Sequence, residues 1–309
     1  MFLSRIGSSA ITSYTVDADV QTYLNLVRSV GGTYSGVTLD SFNTFVNNLK
    51  ADGLWSLCDE IGVFAGIQLT SSSLNPMLIK LKSTSGGTVS ASILSSSFQS
   101  GQYQYTGPFT GLSGNGARSL STNFNPTSSY STMLSTNFHA FVYVDGPERD
   151  TSVDRYVFGA RGNPTASQRL FIGYKALSGF NFGGPPYGTS PSSFTNGSAP
   201  NLSGGLYSSA PIGPSLMLSL TGDTYSNFYV NGVRQLPPGY QGTNISPFLF
   251  GNLHIFKVND STLLPNQSTR VIRGYSYGQG MPALSAAQYA LRWNQFMNTF
   301  GASALNTIF

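Results

Sequence analysis

Charge is scarce in this 309-residue chain, where 9% of residues are Asp, Glu, Lys or Arg against ~25% in an average soluble protein. Glu occurs only as Glu60 and Glu148, His only as His139 and His254, and Cys only as Cys58. A single cysteine excludes an intrachain disulfide framework and the C-x-x-C patterns of zinc and thioredoxin sites. Two isolated histidines beside it do not support a transition-metal site. Lys and Arg exceed Asp and Glu by 16 to 12, for a net charge of +4. They are scattered singly from Arg5 to Arg292 without the basic stripe that neutralises phosphates, so nucleic acid is not an expected partner. No apolar run approaches the ~18 residues of a membrane span. The opening MFLSRIGSSAITSYT also lacks the ~7–15-residue apolar core of a signal peptide. The expectation is a soluble chain made in the cytoplasm, without membrane insertion.

What the chain does have is 35 Gly, 16 Pro, 13% aromatics and 40% hydrophobic residues. That is enough apolar surface to fold, with a loop-rich and β-rich texture. Asp17 precedes Val20, Tyr23, Leu24, Val27 and Val30, a helical stripe that Gly31-Gly32 stops. Thr38 is the expected cap of a second run, with Leu39, Phe42, Phe45, Val46 and Leu49 on one face and Gly53 after it. With Trp55, Leu57, Ile61 and Phe64 these form an N-terminal arm and helical pair over residues 1–66, which includes Glu60. Residues 67–309 make the second unit.

From residue 67 short apolar runs alternate with Gly, Pro, Asn and Ser, the rhythm of an antiparallel sandwich. In Phe138 to Val144 both alternating faces are largely apolar, which predicts a strand in the middle of a layered sheet. Asn231-Gly232, between Phe228-Tyr229-Val230 and Val233-Arg234, predicts a tight hairpin. The stretch Gly179 to Pro214 holds six prolines and reads as a functional or disordered insertion. Near the end, Ser285 is the expected cap of a helix carrying Tyr289, Trp293, Phe296, Met297 and Phe300, stopped by Gly301.

Four stretches carry a resemblance. LKADGLWSLCDEIGVFAG (Leu49 to Gly66), GNGARSLSTNFNPTSSYSTMLSTNFHAFVYV (Gly114 to Val144), FYVNGVR (Phe228 to Arg234) and ALSAAQYALRWNQFMNTFG (Ala283 to Gly301) resemble, in order, landmarks of a concanavalin-like or laminin-G-like jelly-roll family found in phage virion proteins. The resemblance implies a mostly β protein: an antiparallel two-sheet jelly-roll sandwich with a small N-terminal helical module and a closing C-terminal helix. It implies fold more firmly than activity.

The candidate chemistry is thin. A sandwich glycosidase needs two carboxylates flanking the scissile bond, and no strand here carries acids at alternate positions. His139 lies in an apolar strand without an evident nucleophile partner, and His254 alternates similarly, so both read as packing residues; Cys58 reads as a buried apolar residue. The loop from Asp145 to Asp154 concentrates Asp145, Glu148, Asp150 and Asp154, interleaved with Arg149. Asp145, Asp150 and Asp154 are candidate calcium ligands, against the plainer reading of a solvated, internally paired loop. Sugars are held by aromatic faces and planar amides. The glycan-contact candidates are therefore Tyr103, Tyr105, Tyr187, Phe194 and Tyr240, against the alternative that these rings pin loops to the sandwich. Met1, Phe2, Leu3 and Ile6 give the arm an attachment surface.

The expected function is a non-enzymatic structural and interaction protein of a phage virion, a capsid decoration, fibre or tail adhesin on the virion exterior. Other virion proteins, further copies of the chain and a host surface glycan are its expected partners. The alternatives are a free carbohydrate-binding module and a polysaccharide-degrading enzyme.

Overall fold

The computed structural model describes residues 15–83, 95–96, 98–105, 110–114, 118–123, 137–145, 155–161, 169–174, 215–221, 226–234, 253–256 and 271–301. The N-terminal part contains α1 (Ala18–Ser29), β1 (Gly32–Thr33), α2 (Gly36–Ala51), β2 (Cys58–Val63), β3 (Gln68–Leu69), α3 (Asn75–Leu78) and β4 (Lys80–Ser83). Next come β5 (Ser95–Ser96), β6 (Tyr103–Gln104), β7 (Gly111–Ser113), β8 (Leu120–Ser121), β9 (Asn137–Asp145), β10 (Arg155–Arg161) and β11 (Arg169–Tyr174). The C-terminal part adds β12 (Ser215–Thr221), β13 (Ser226–Val230), β14 (Val233–Arg234), β15 (His254–Ile255), β16 (Val271–Gly278) and α4 (Ala283–Asn298).

The helices begin where local chemistry satisfies their first N–H groups. Asp17 caps α1 as expected, its carboxylate accepting from the Asp19 N–H at 3.0 Å. The cap of α2 is Ser35, not Thr38: the Ser35 hydroxyl accepts from the Thr38 N–H at 3.1 Å, so Thr38 already lies in the first turn. Likewise α4 starts after Pro282, two residues before the expected Ser285 boundary is reached. Pro282 supplies a fixed φ of −61° at a position that needs no helical N–H. The Lys50 ammonium, 2.8 Å from Asp17, ties the end of α2 to the start of α1. Arg292 of α4 forks onto Asp52 beyond α2 at 2.7 and 3.2 Å.

A nine-stranded sheet holds β14-β13-β12-β9-β16-β2-β4 in order, with β7 also pairing β16 and β6 pairing β7. A five-stranded sheet runs β11-β10-β15-β8-β5. Their described pairings are antiparallel, so the chain is mostly β with antiparallel sheets. One hydrophobic cluster lies between the sheets, joining Phe138, Ala140, Val142 and Val144 of β9 to Phe158, Ile172 and Ile255. The opposite face of the large sheet, with Phe141, Tyr143 and Met217, meets Phe42, Phe45, Tyr289 and Trp293 of the helices. The expected central strand is therefore found in β9, buried on both faces. Strand β2 lies on the N-terminal side of the boundary drawn at residue 66, yet it runs inside the large sheet between β16 and β4.

Two glycines in paired strands make room for rings. A Cβ on Gly274 would stand 2.5 Å from the Trp293 ring, so the bare backbone lets the indole lie close against the sheet. Gly62, opposite Tyr275 in the β2–β16 register, leaves space that the Tyr275 ring fills. At the hairpin, Asn231 and Gly232 have φ of 52° and 77°, the left-handed pair a two-residue turn requires. Among the described residues no helix is long and apolar enough to cross a membrane.

Candidate functional site

Several expected site residues lie outside the described residues: Tyr187, Phe194, Tyr240, Asp150, Asp154, Met1, Phe2, Leu3 and Ile6. Asp145 is described through its backbone alone, which pairs with Val271 at the end of β9. Among the described residues no group of three or more His, Cys, Asp or Glu could hold a metal ion.

Tyr103 and Tyr105 have different settings. The Tyr103 hydroxyl donates to the Ile67 carbonyl at 2.7 Å, and its ring packs against the inter-sheet core. This fits the alternative in which the ring pins a segment to the sandwich, and burial raises its phenol pKa. Tyr105 is 40% exposed. Its carbonyl accepts from the Gly66 N–H at 2.9 Å, while the two residues before it pair with β7. An open aromatic thus stands on a fixed backbone at the margin of the large sheet, preceded by the amides of Gln102 and Gln104.

Two buried polar clusters were not evident from the sequence. Glu60, in β2, does not belong to a helical module: its carboxylate lies inside the sandwich and is 1% exposed. Lys80 Nζ of β4 stands 2.6 Å from Glu60 Oε2 and donates to the Thr122 carbonyl at 3.0 Å. The hydroxyls of Tyr275 and Tyr277, both on β16, donate to Oε1 and Oε2 at 2.5 Å each. Alternation on one strand places these tyrosines on the same face. Burial raises the Glu60 pKa, against the lowering influence of Lys80 and the two phenols.

On the other face of the large sheet, His139 does have a hydroxyl partner. Its Nε2 lies 3.1 Å from Ser276 Oγ, and its Nδ1 lies 2.6 Å from the Gln279 carbonyl. A carbonyl can only accept, so Nδ1 carries the proton and Nε2 accepts from Ser276. Tyr289 in turn donates to Ser276 Oγ at 2.8 Å, and the Cys58 thiol stands 3.5 Å from the Tyr289 oxygen. The relation of hydroxyl, imidazole and orienting acceptor is that of a nucleophile and its base. Here, however, His139 and Ser276 are fully buried beneath α4, and Tyr289, on α4 itself, closes the cluster, so none of the three faces solvent. Burial pushes the Cys58 thiol up to about 12, leaving it a protonated, inert group.

Burial lowers the His139 pKa from 6.5 to about 4. Below pH 6.5 the unfolded chain takes up a proton that the folded chain refuses until about pH 4. His139 therefore contributes stability above pH 6.5 that is lost as pH falls through this window, by about 3 kcal/mol in all. Urea unfolding across pH 7 to 4 should show that decline in the natural chain and a shallower one in His139→Asn. Parallel profiles would refute the assignment.

No protein-family model matches the chain, and no curated protein matches it. Among solved structures the chain is similar to Trypanosoma rangeli sialidase, at 11% identity and a TM-score of 0.42, covering 84% of this chain and 39% of that one. The same enzyme in complex with 2,3-difluorosialic acid, a covalent intermediate, gives 10% identity and a TM-score of 0.45 over 84% and 40% of the two chains. The NanB sialidase of Streptococcus pneumoniae gives 16% and 0.33 over 57% and 27%. The chain thus spans well under half the length of these proteins. These findings correct the expected function. The similar structures named here are sialidases rather than virion proteins, and the reading as a non-enzymatic phage structural component is withdrawn.

Proposed function

We propose that the chain is a carbohydrate-binding module on a jelly-roll sandwich, and that Tyr105 supplies its sugar-stacking platform. The observation that carries this reading is the contrast between the two described candidate aromatics. Tyr103 is committed to the core through ring and hydroxyl, whereas Tyr105 is 40% exposed. An aromatic face accepts the C–H surface of a pyranose; the Gln102 amide oxygen is already taken by the Gln99 N–H at 3.0 Å, which leaves the ring face as the recognising group. Because the Tyr105 backbone is fixed by Gly66 and by the β6–β7 pairing, little ordering entropy opposes binding. Binding rather than turnover is the function proposed: His139, Ser276 and Glu60 are buried, whereas Tyr105 is open to solvent.

A glycan array with the purified chain tests the reading. Binding should be found, and Tyr105→Ala should weaken it about tenfold, equivalent to ~1.4 kcal/mol, with the melting temperature unchanged. Absence of binding to any glycan, binding that Tyr105→Ala leaves intact, or polysaccharide turnover would overturn it.

A further inference from the structure

We propose that Lys80 and Glu60 condense to an intramolecular amide, a covalent cross-link between the neighbouring strands β4 and β2. The geometry holds the groups that such a bond needs. Nζ is 2.6 Å from Oε2, and both side chains are at least 97% enclosed, at 3% and 1% exposure. Each carboxylate oxygen also has its own phenolic donor, Tyr275 on Oε1 and Tyr277 on Oε2.

The step balances without any further reagent. Proton transfer within the pair, from Nζ to the carboxylate, gives the neutral amine and carboxylic acid from which condensation starts. Burial raises the Glu60 pKa, which supports the same direction. The Nζ lone pair then adds to Cδ, forming the C–N bond while the charge developing on Oε1 is met by the Tyr275 hydroxyl. Oε2, between Nζ and Tyr277, collects two protons from the amine and acid and leaves as water as its C–O bond breaks. The product is an amide whose oxygen stays on Tyr275 and whose N–H retains the Thr122 carbonyl, already 3.0 Å from Nζ. In sum, an ammonium and a carboxylate become an amide and one water. An unactivated acid reacts slowly with an amine in solution, but two groups fixed in contact gain effective molarities of about 10⁵–10⁸ M.

The link would close a loop between positions 20 apart in the chain. It would also fasten β4, the last strand in its sheet's order, to its neighbour. A bond of this kind limits the unfolded ensemble much as a disulfide does, in a chain whose single cysteine cannot form an intrachain disulfide.

Intact mass spectrometry of the denatured full chain decides the matter. The expected mass is lower than the sequence mass by one water. Proteolysis should yield a branched peptide joining the Lys80 and Glu60 segments, and Lys80→Arg should restore the full sequence mass. A full sequence mass after the folded natural chain has been incubated for days would overturn the proposal. So would a one-water deficit that maps elsewhere, such as to an Asp succinimide. The natural chain alone gives this answer, so failure of the variant to fold does not obscure it.

Discussion

Lys80→Met should lower the unfolding free energy by about 3–5 kcal/mol, because it removes the buried amine that holds Glu60, whether by ion pair or by amide, and leaves the carboxyl group enclosed without it. The Glu60 carboxylate would retain its two phenolic donors but lose the ammonium at 2.6 Å, with no solvent to replace it. Against a typical total of ~5–15 kcal/mol, that loss is about a third to a half of a mid-range stability. A second substitution separates the stranded charge from the lost packing. Glu60→Gln keeps an oxygen and an amide for the tyrosines while removing the charge, so Lys80→Met with Glu60→Gln should be more stable than Lys80→Met alone. The order holds for an ion pair and for the cross-linked chain alike, since both variants lack the amine. Urea unfolding of the natural chain and the two variants measures it. A single variant within 1 kcal/mol of the natural chain, as a solvated surface pair would give, would show that the Glu60 site is not dry.

The elements legible in the sequence are those whose pattern is local. The stripe from Val20 to Val27 marks α1 because all its residues meet one core, and Asp17 marks its start because a cap acts over two residues. The alternation in β9 and the Asn231-Gly232 turn are read the same way. Strand β2 defeats that reading because Cys-Asp-Glu-Ile-Gly-Val is enclosed by sheet on one side and helices on the other. It shows no polar alternation and adjoins a helical stretch. Strand β16 is fully buried as well, and its small and aromatic residues resemble loop composition. Its Tyr-Ser-Tyr triplet alternates between faces, sending Tyr275 and Tyr277 to Glu60 and Ser276 to His139.

The candidate sites were less legible than the fold because their partners are distant in sequence. Glu60 meets Tyr275 across 215 positions, and His139 meets Ser276 across 137. No spacing rule reaches that far; only sheet order brings β2, β9 and β16 side by side. Tyr103 and Tyr105 illustrate the complementary limit. They are two residues apart in a similar local context, yet a carbonyl on the Gly66–Gln68 segment captures one hydroxyl and leaves the other ring open.

Trp293→Ala should cost about 3–5 kcal/mol, the range for truncating a large buried aromatic, and the loss should be concentrated in the helical layer. The indole is fully buried. It lies edge-on to Phe45 of α2 at 5.1 Å, tilted to Phe141 of β9 at 5.1 Å, and stacked over Tyr143 at 6.0 Å. It therefore joins α4, α2 and the outer face of the large sheet. Gly274 lets that face approach, since any side chain there would meet the ring. Alanine leaves a cavity that the paired strands beneath cannot collapse to fill, because their spacing is set by backbone hydrogen bonds on both sides of β9. Leu284→Ala, on the same helix but 87% exposed, is the control and should change stability by less than about 0.5 kcal/mol. Chemical unfolding gives the two free energies. Hydrogen exchange should show α4 and α2 opening at lower free energy in Trp293→Ala while β9 and β12 stay protected, since the inter-sheet cluster on their other face is untouched. If Trp293→Ala costs no more than Leu284→Ala, the helices are not held on the sheet through this ring.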